Sequence, residues 1–195
     1  MPLTAVAVWF DYACPHSYHG LRQLEDLASA VGFDIERRPF LVRSSHVENN
    51  PCSSVPGDVP RGSRRRPLYQ SGQGSSTEPA SNRSVSTLAI HAATAYAKER
   101  GLDRAFYWAA SKEYWEQGTN LGNLYTIRRL SVSVGLDWGE MWPKLDSGRY
   151  QNLVLVRHEA ALQAGVVRVP SFQIGGRLHS GAMGFEELKA AVRAA

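Results

Sequence analysis

Residues 5–20 read A-V-A-V-W-F-D-Y-A-C-P-H-S-Y-H-G. An apolar run reaches Asp11, then Cys14, which is followed at once by Pro15. The spacing predicts a largely buried strand over residues 3–10 and a helix that opens at Pro15. Proline loses nothing at a first helical position, because the N–H it lacks has no intrahelical acceptor there. Leu21, Leu24, Leu27 and Ala28 then recur at intervals of three and four, as one helix face requires, up to Gly32. Residues 33–42, F-D-I-E-R-R-P-F-L-V, read as a second strand, with Pro39 placing it at an edge or a bulge. Strand, helix and strand make a βαβ unit.

The pattern then breaks. Residues 43–83 are rich in Pro, Gly and Ser and hold Arg61 and the run Arg64-Arg65-Arg66, which reads as a surface loop or a substrate lid. Helical periodicity returns from Ser84. Val85, Leu88, Ala92 and Ala95 mark one helix that stops near Gly101, and Asp103 is placed to cap the next, which ends at Gly118. Leu121, Leu124, Ile127, Leu130 and Val134 mark a third, closed by Gly135; two more follow over 137–145 and 149–164. Residues 171–174 and 177–180 read as a hairpin turning at Gly175-Gly176, and Phe185–Ala195 as a closing helix.

The composition, 43% hydrophobic and 21% charged, is that of a globular chain, and the net charge of +4 is concentrated in the arginine run. It therefore does not describe a nucleic-acid surface. No apolar stretch reaches the length of about 18 residues that a membrane helix needs. The start, MPLTAVAVWF, lacks a basic segment and reads as a strand rather than a signal peptide, so the expected location is the cytoplasm. Cys14 and Cys52 are too few for a disulfide framework, and the six histidines form no i,i+4 pair around a glutamate, so no metal site is expected.

The stretch F-D-Y-A-C-P-H-S-Y resembles the active-site turn of DsbA-like thioredoxin-fold proteins, whose usual form is C-P-H-C. Asp11 and Tyr18 make it more similar to the FrnE-like branch, which also resembles 2-hydroxychromene-2-carboxylate isomerase and kappa-class glutathione transferase. The segment G-V-V-R-V-P-S-F-Q-I…S-G-A-M, starting at Gly165, resembles the family's G-V-x-G-V-P-x-F…S-G-A-Q, in which the proline is cis. The resemblance implies an α/β architecture, a thioredoxin fold interrupted by an all-helical insertion domain. Residues 1–42 and 165–195 would form the thioredoxin-like domain, 84–164 the insertion, and 43–83 the loop or lid. Two departures stand out. Ser17 replaces the second cysteine, giving a monothiol C-P-H-S variant, and Gly181-Ala182-Met183 stands where glutathione-using relatives carry an acidic residue.

Cys14 is the expected nucleophile. At a helix start, free N–H groups and the helix dipole favour thiolate over thiol. His16 can add charge or a hydrogen bond, and Ser17 can turn its hydroxyl back to the sulfur. Val169, ahead of Pro170, would face the sulfur and bind a ligand through its backbone. Tyr12, Pro15, Tyr18 and Trp108 complete the expected substrate contacts, Trp108 coming from a helical block that would form the opposite wall of a cleft. Asn82, Arg83 and His91 are further residues that could face that cleft.

A mixed disulfide at Cys14 has no neighbouring thiol to resolve it unless Cys52 approaches. The leading expectation is therefore a cysteine-dependent isomerase, in which the sulfur adds to a small conjugated carbonyl compound, the former double bond rotates, and elimination restores it. The alternatives are a monothiol thiol–disulfide oxidoreductase working with glutathione or a similar thiol, and a non-catalytic binding module. No cofactor is expected beyond such a thiol. The expected partner is a small-molecule substrate, with neither nucleic acid nor membrane, and a homodimer stays open.

Overall fold

The computed structural model describes residues 5–42 and 86–195. The elements run β1 (Ala5–Phe10), α1 (Pro15–Val31), β2 (Asp34–Pro39), α2 (Leu88–Glu99), α3 (Asp103–Gln117), α4 (Leu124–Ser133), α5 (Trp138–Asp146), α6 (Arg149–Gln163), β3 (Ser171–Ile174), β4 (Arg177–Ser180) and α7 (Phe185–Arg193). This is a mixed α/β thioredoxin-like fold with a helical region between its strands. The chain divides into two compact units, Met1–Val42 with Leu145–Ala195, and Arg43–Lys144. That division falls within α5, whereas the sequence reading ended the helical insertion at residue 164. The 43–83 segment, with its arginines and Cys52, lies outside the described residues, as do Asn82 and Arg83.

The first unit is built on one sheet of order β2-β1-β3-β4. β1 pairs with β2 in parallel and with β3 antiparallel, and β3 continues into β4 through the hairpin. Both turn glycines, Gly175 (φ 54°) and Gly176 (φ 79°), adopt the left-handed backbone that a two-residue hairpin needs. Pro39 lies on an edge strand, where its missing N–H takes no ladder bond from the sheet.

Register sorts the side chains by face. Val8 pairs with Phe172, and α1 lies against that face, with Gly20 meeting Phe172. Leu21, Leu24 and Leu27 on α1, and Leu188 and Val192 on α7, are buried, as their helical spacing predicts. The guanidinium of Arg37 on β2 is paired with the Glu25 carboxylate on α1, both largely out of solvent. Trp9 points the other way, into a cluster with Phe40, Ala161, Val166 and Val169.

In the second unit, α2 is buried on nearly every side from Ile90 to Ala97. Its alanines, Ala92, Ala93, Ala95 and Ala97, leave room for α3 and α4 to pack against it. Asn123 caps α4, its side chain accepting the Tyr125 N–H at 2.8 Å. Asp103 is not a cap: α3 starts at Asp103 itself and its N-cap is Leu102. A carboxylate in the first turn is still favoured there by the helix dipole, so the residue type marks the helix start one position late. Among the described residues no helix is long and apolar enough to cross a membrane.

Candidate active site

The site begins where β1 runs out. Beyond Phe10 the chain turns through Asp11, Tyr12 and Ala13, and Cys14 occupies the N-cap of α1 with extended backbone (φ −96°, ψ 115°). Pro15 holds the first helical position, and no acidic residue lies in the first turn. The turn is tied by the Cys14 N–H donating to the Asp11 carbonyl at 3.1 Å. The Asp11 carboxylate accepts the Ala13 N–H at 3.1 Å and the Val42 N–H at 2.8 Å. The Asp11 N–H in turn donates to the Ser17 hydroxyl at 3.4 Å.

The second half of the site arrives from the far end of the chain. The Val169–Pro170 peptide bond is cis, and the Cys14 thiol donates to the Val169 carbonyl at 3.4 Å. The loop that carries this carbonyl is held on both sides. Ser171 Oγ donates to the Arg168 carbonyl at 2.7 Å, and the Gly181 N–H donates to the Pro170 carbonyl at 2.8 Å. Gly20 lets α1 come close, since a Cβ there would sit 3.0 Å from Phe172 Cζ and 3.2 Å from Pro170 Cγ.

Cys14, Ser17, Val169 and Pro170 are thus brought together. Ser17 is fully buried, Cys14 and Pro15 are half-buried, and His16 is exposed. Tyr12 and Tyr18, expected to touch substrate, are 2% and 4% exposed; the Tyr12 ring meets Phe10 edge-on. Trp108 belongs to α3 in the second unit, half-buried, with its ring edge-on to Tyr107. His91 is buried on α2. Sequence reasoning used Asp11 as a landmark and missed its bonds to Ala13 and Val42. It also missed His158 of α6, whose Nδ1 accepts the Leu41 N–H at 3.2 Å.

The protonation state of the sulfur departs from expectation. Burial pushes the Cys14 thiol above its ordinary range. The Ser17 hydroxyl and the N–H groups of Ser17 and His16 pull the other way, while the Asp11 carboxylate adds to the rise. Desolvation is the largest of these effects, so burial opposes the thiolate that the helix start favours. The backbone N–H of His16 is the last of the groups that favour the ionised sulfur.

This site can run sulfur exchange or addition with a single nucleophile. A model of the DSBA-like thioredoxin domain matches residues 5–193. The chain is 22% identical over 191 residues to the uncharacterized protein YwbO of Bacillus subtilis (strain 168), covering 96% of this chain and 94% of YwbO. Among solved structures it is similar to a probable DsbA oxidoreductase, SCO1869, from Streptomyces coelicolor, with a TM-score of 0.71, 22% identity and coverage of 98% and 88% of the two chains. The cytosolic disulfide reductase DsbM from Pseudomonas aeruginosa with GSH gives a TM-score of 0.58 at 14% identity, over 90% of this chain and 88% of that one. At such identities these structures share the fold, while the domain model spans nearly the whole sequence. The chain belongs to the DSBA-like thioredoxin domain family.

Proposed function

We propose that the protein is a monothiol thiol–disulfide oxidoreductase that works in the reducing direction, with Cys14 as nucleophile and a glutathione-type thiol as co-substrate. The observation that carries this reading is the pairing of one half-buried sulfur, bonded to the Val169 carbonyl, with a hydroxyl at position 17. Family membership supports exchange over the isomerase expected first from the sequence, and so does the likeness to a disulfide reductase with GSH.

The chemistry is two exchanges. The Cys14 sulfur, giving up its proton, attacks a disulfide R–S–S–R′; a Cys14–S–S–R bond forms, and R′–S⁻ leaves and takes up a proton. A low-molecular-weight thiol then attacks the R sulfur of the mixed disulfide, releasing Cys14 as thiol and carrying R away as a new disulfide. Ser17 cannot resolve the intermediate and Cys52 lies outside the described residues, so in this proposal the second thiol comes from solution. The direction follows from the sulfur's environment. A site that disfavours thiolate does not stabilise the reduced protein, so its disulfide is a weak oxidant and its thiol a reductant. Fewer sulfurs are ionised at neutral pH, but each is the stronger nucleophile for it.

The proposed setting is the cytoplasm, with a small disulfide as substrate; Asp11 and Tyr18 support a place in the FrnE-like branch. The test is glutathione-dependent reduction of 2-hydroxyethyl disulfide. Wild-type protein should turn it over, and Cys14→Ser should lose the activity entirely; an unchanged rate in Cys14→Ser contradicts the proposal. Covalent isomerisation is the second reading, favoured by the hydroxyl at Ser17, since it needs no resolving thiol. Turnover of a conjugated cis-enone under full reduction with no added thiol would select it.

A further inference from the structure

We propose that Asp11 is the positioning residue of this site: it fixes Cys14 and Ser17 relative to each other and sets a buried carboxylate at the base of the turn that carries the sulfur. The proposal rests on the exchange chemistry above for its purpose, and on geometry for its content.

Asp11 is 3% exposed and makes four bonds around the turn. Its carbonyl takes the Cys14 N–H, its N–H reaches the Ser17 hydroxyl, and its two carboxylate oxygens take the N–H groups of Ala13 and Val42 separately. One residue therefore touches the nucleophile's backbone, the hydroxyl beside it, and the chain just beyond β2. The two N–H donors make the carboxylate tolerable inside the protein, since charge-assisted bonds are what a buried carboxylate requires.

The same charge acts against a thiolate. Among the described residues, Trp9, Phe40, Ala161, Val166 and Val169 set an apolar cluster against Cys14, and the titratable group packed on that cluster from α6 is His158, edge-on to Phe40 with its Nδ1 taken by the Leu41 N–H. The first turn of α1 supplies N–H groups and the Ser17 hydroxyl, which favour ionisation, and Asp11 supplies the opposing charge. For an enzyme with no resolving cysteine this bias is useful. A permanently ionised sulfur would be open to oxidation and to trapping, whereas a protonated one ionises as it reacts.

The test is the pH dependence of iodoacetamide alkylation at Cys14, read by peptide mass in wild type, Asp11→Asn and Asp11→Glu. Asparagine keeps one acceptor and removes the charge, so the midpoint should move to lower pH and the rate at pH 7 should rise several-fold. Glutamate keeps the charge and should hold the midpoint close to wild type. A folded Asp11→Asn protein with an unmoved or higher midpoint overturns the proposal. Should neither variant fold, wild type still decides. The Asp11 side-chain carboxyl ¹³C shift should step at the pH where Cys14 ionises and lose that step in Cys14→Ser; a flat trace overturns the proposal. Alkylation reports the sulfur whatever disulfide it handles, so absent exchange activity leaves this test standing.

Discussion

Cys14 and Val169, 155 positions apart, are joined by a hydrogen bond from thiol to carbonyl at 3.4 Å. This bond exists because β1 and β3 are neighbours in the sheet, with Trp9 opposite Ser171. The strand end that carries Cys14 and the loop that carries Val169 therefore emerge side by side. The thiol form satisfies the carbonyl; ionisation forfeits the bond, in line with the upward shift that burial imposes on the sulfur.

Position 17 decides whether the site is monothiol. Ser17 is buried in the first turn, three residues after Cys14, and its hydroxyl favours ionisation of the sulfur. Ser17→Cys should therefore form an internal disulfide with Cys14 under mild oxidation, detected as a loss of two hydrogens in the intact mass and of both thiols to alkylation. If both sulfurs stay free under those conditions, the two side chains do not face each other.

Gly20 is a contact residue as well as a helix residue. Alanine would gain about 1 kcal/mol of helix propensity. Its Cβ, however, meets Phe172 Cζ at 3.0 Å and Pro170 Cγ at 3.2 Å, both parts of buried rings. Overpacking of this kind costs about 1–3 kcal/mol, so the net change should be a loss of up to about 2 kcal/mol. Denaturant unfolding of Gly20→Ala checks this, and an equal or higher stability would show that α1 has room to spare.

His19 makes stability depend on acid. Burial, and then the charges of Arg22 and His16, lower its pKa in the folded protein. The unfolded chain consequently binds a proton first, and stability falls as pH drops through the ordinary histidine range near about 6.5. His19→Gln should flatten that part of a stability-versus-pH curve between roughly pH 7 and 5; a slope identical to wild type would assign the effect elsewhere.

The fold was readable where its signals are local. Alternation marked β1, Pro15 marked the first turn of α1, and paired glycines marked the hairpin between β3 and β4. The state of the sulfur was not, because the two influences on it have different reach. The favourable one, the helix start, lies within three residues of Cys14, while the cluster that desolvates it includes Ala161, Val166 and Val169, nearly the whole chain away. Asp11 was hidden for the same reason: its partner Val42 is 31 residues distant. The start of α3 was misjudged by one residue, since aspartate serves both as a cap and as a first-turn anion, whereas its end at Gly118 was read correctly.

The central claim, one exchangeable sulfur served by an external thiol, is tested most directly by the native intact mass after incubation with glutathione disulfide. A single glutathione adduct on Cys14, removed by excess reduced glutathione and absent in Cys14→Ser, is the predicted result. A native protein that takes no adduct at Cys14, or one whose adduct resists excess reduced thiol, would contradict it.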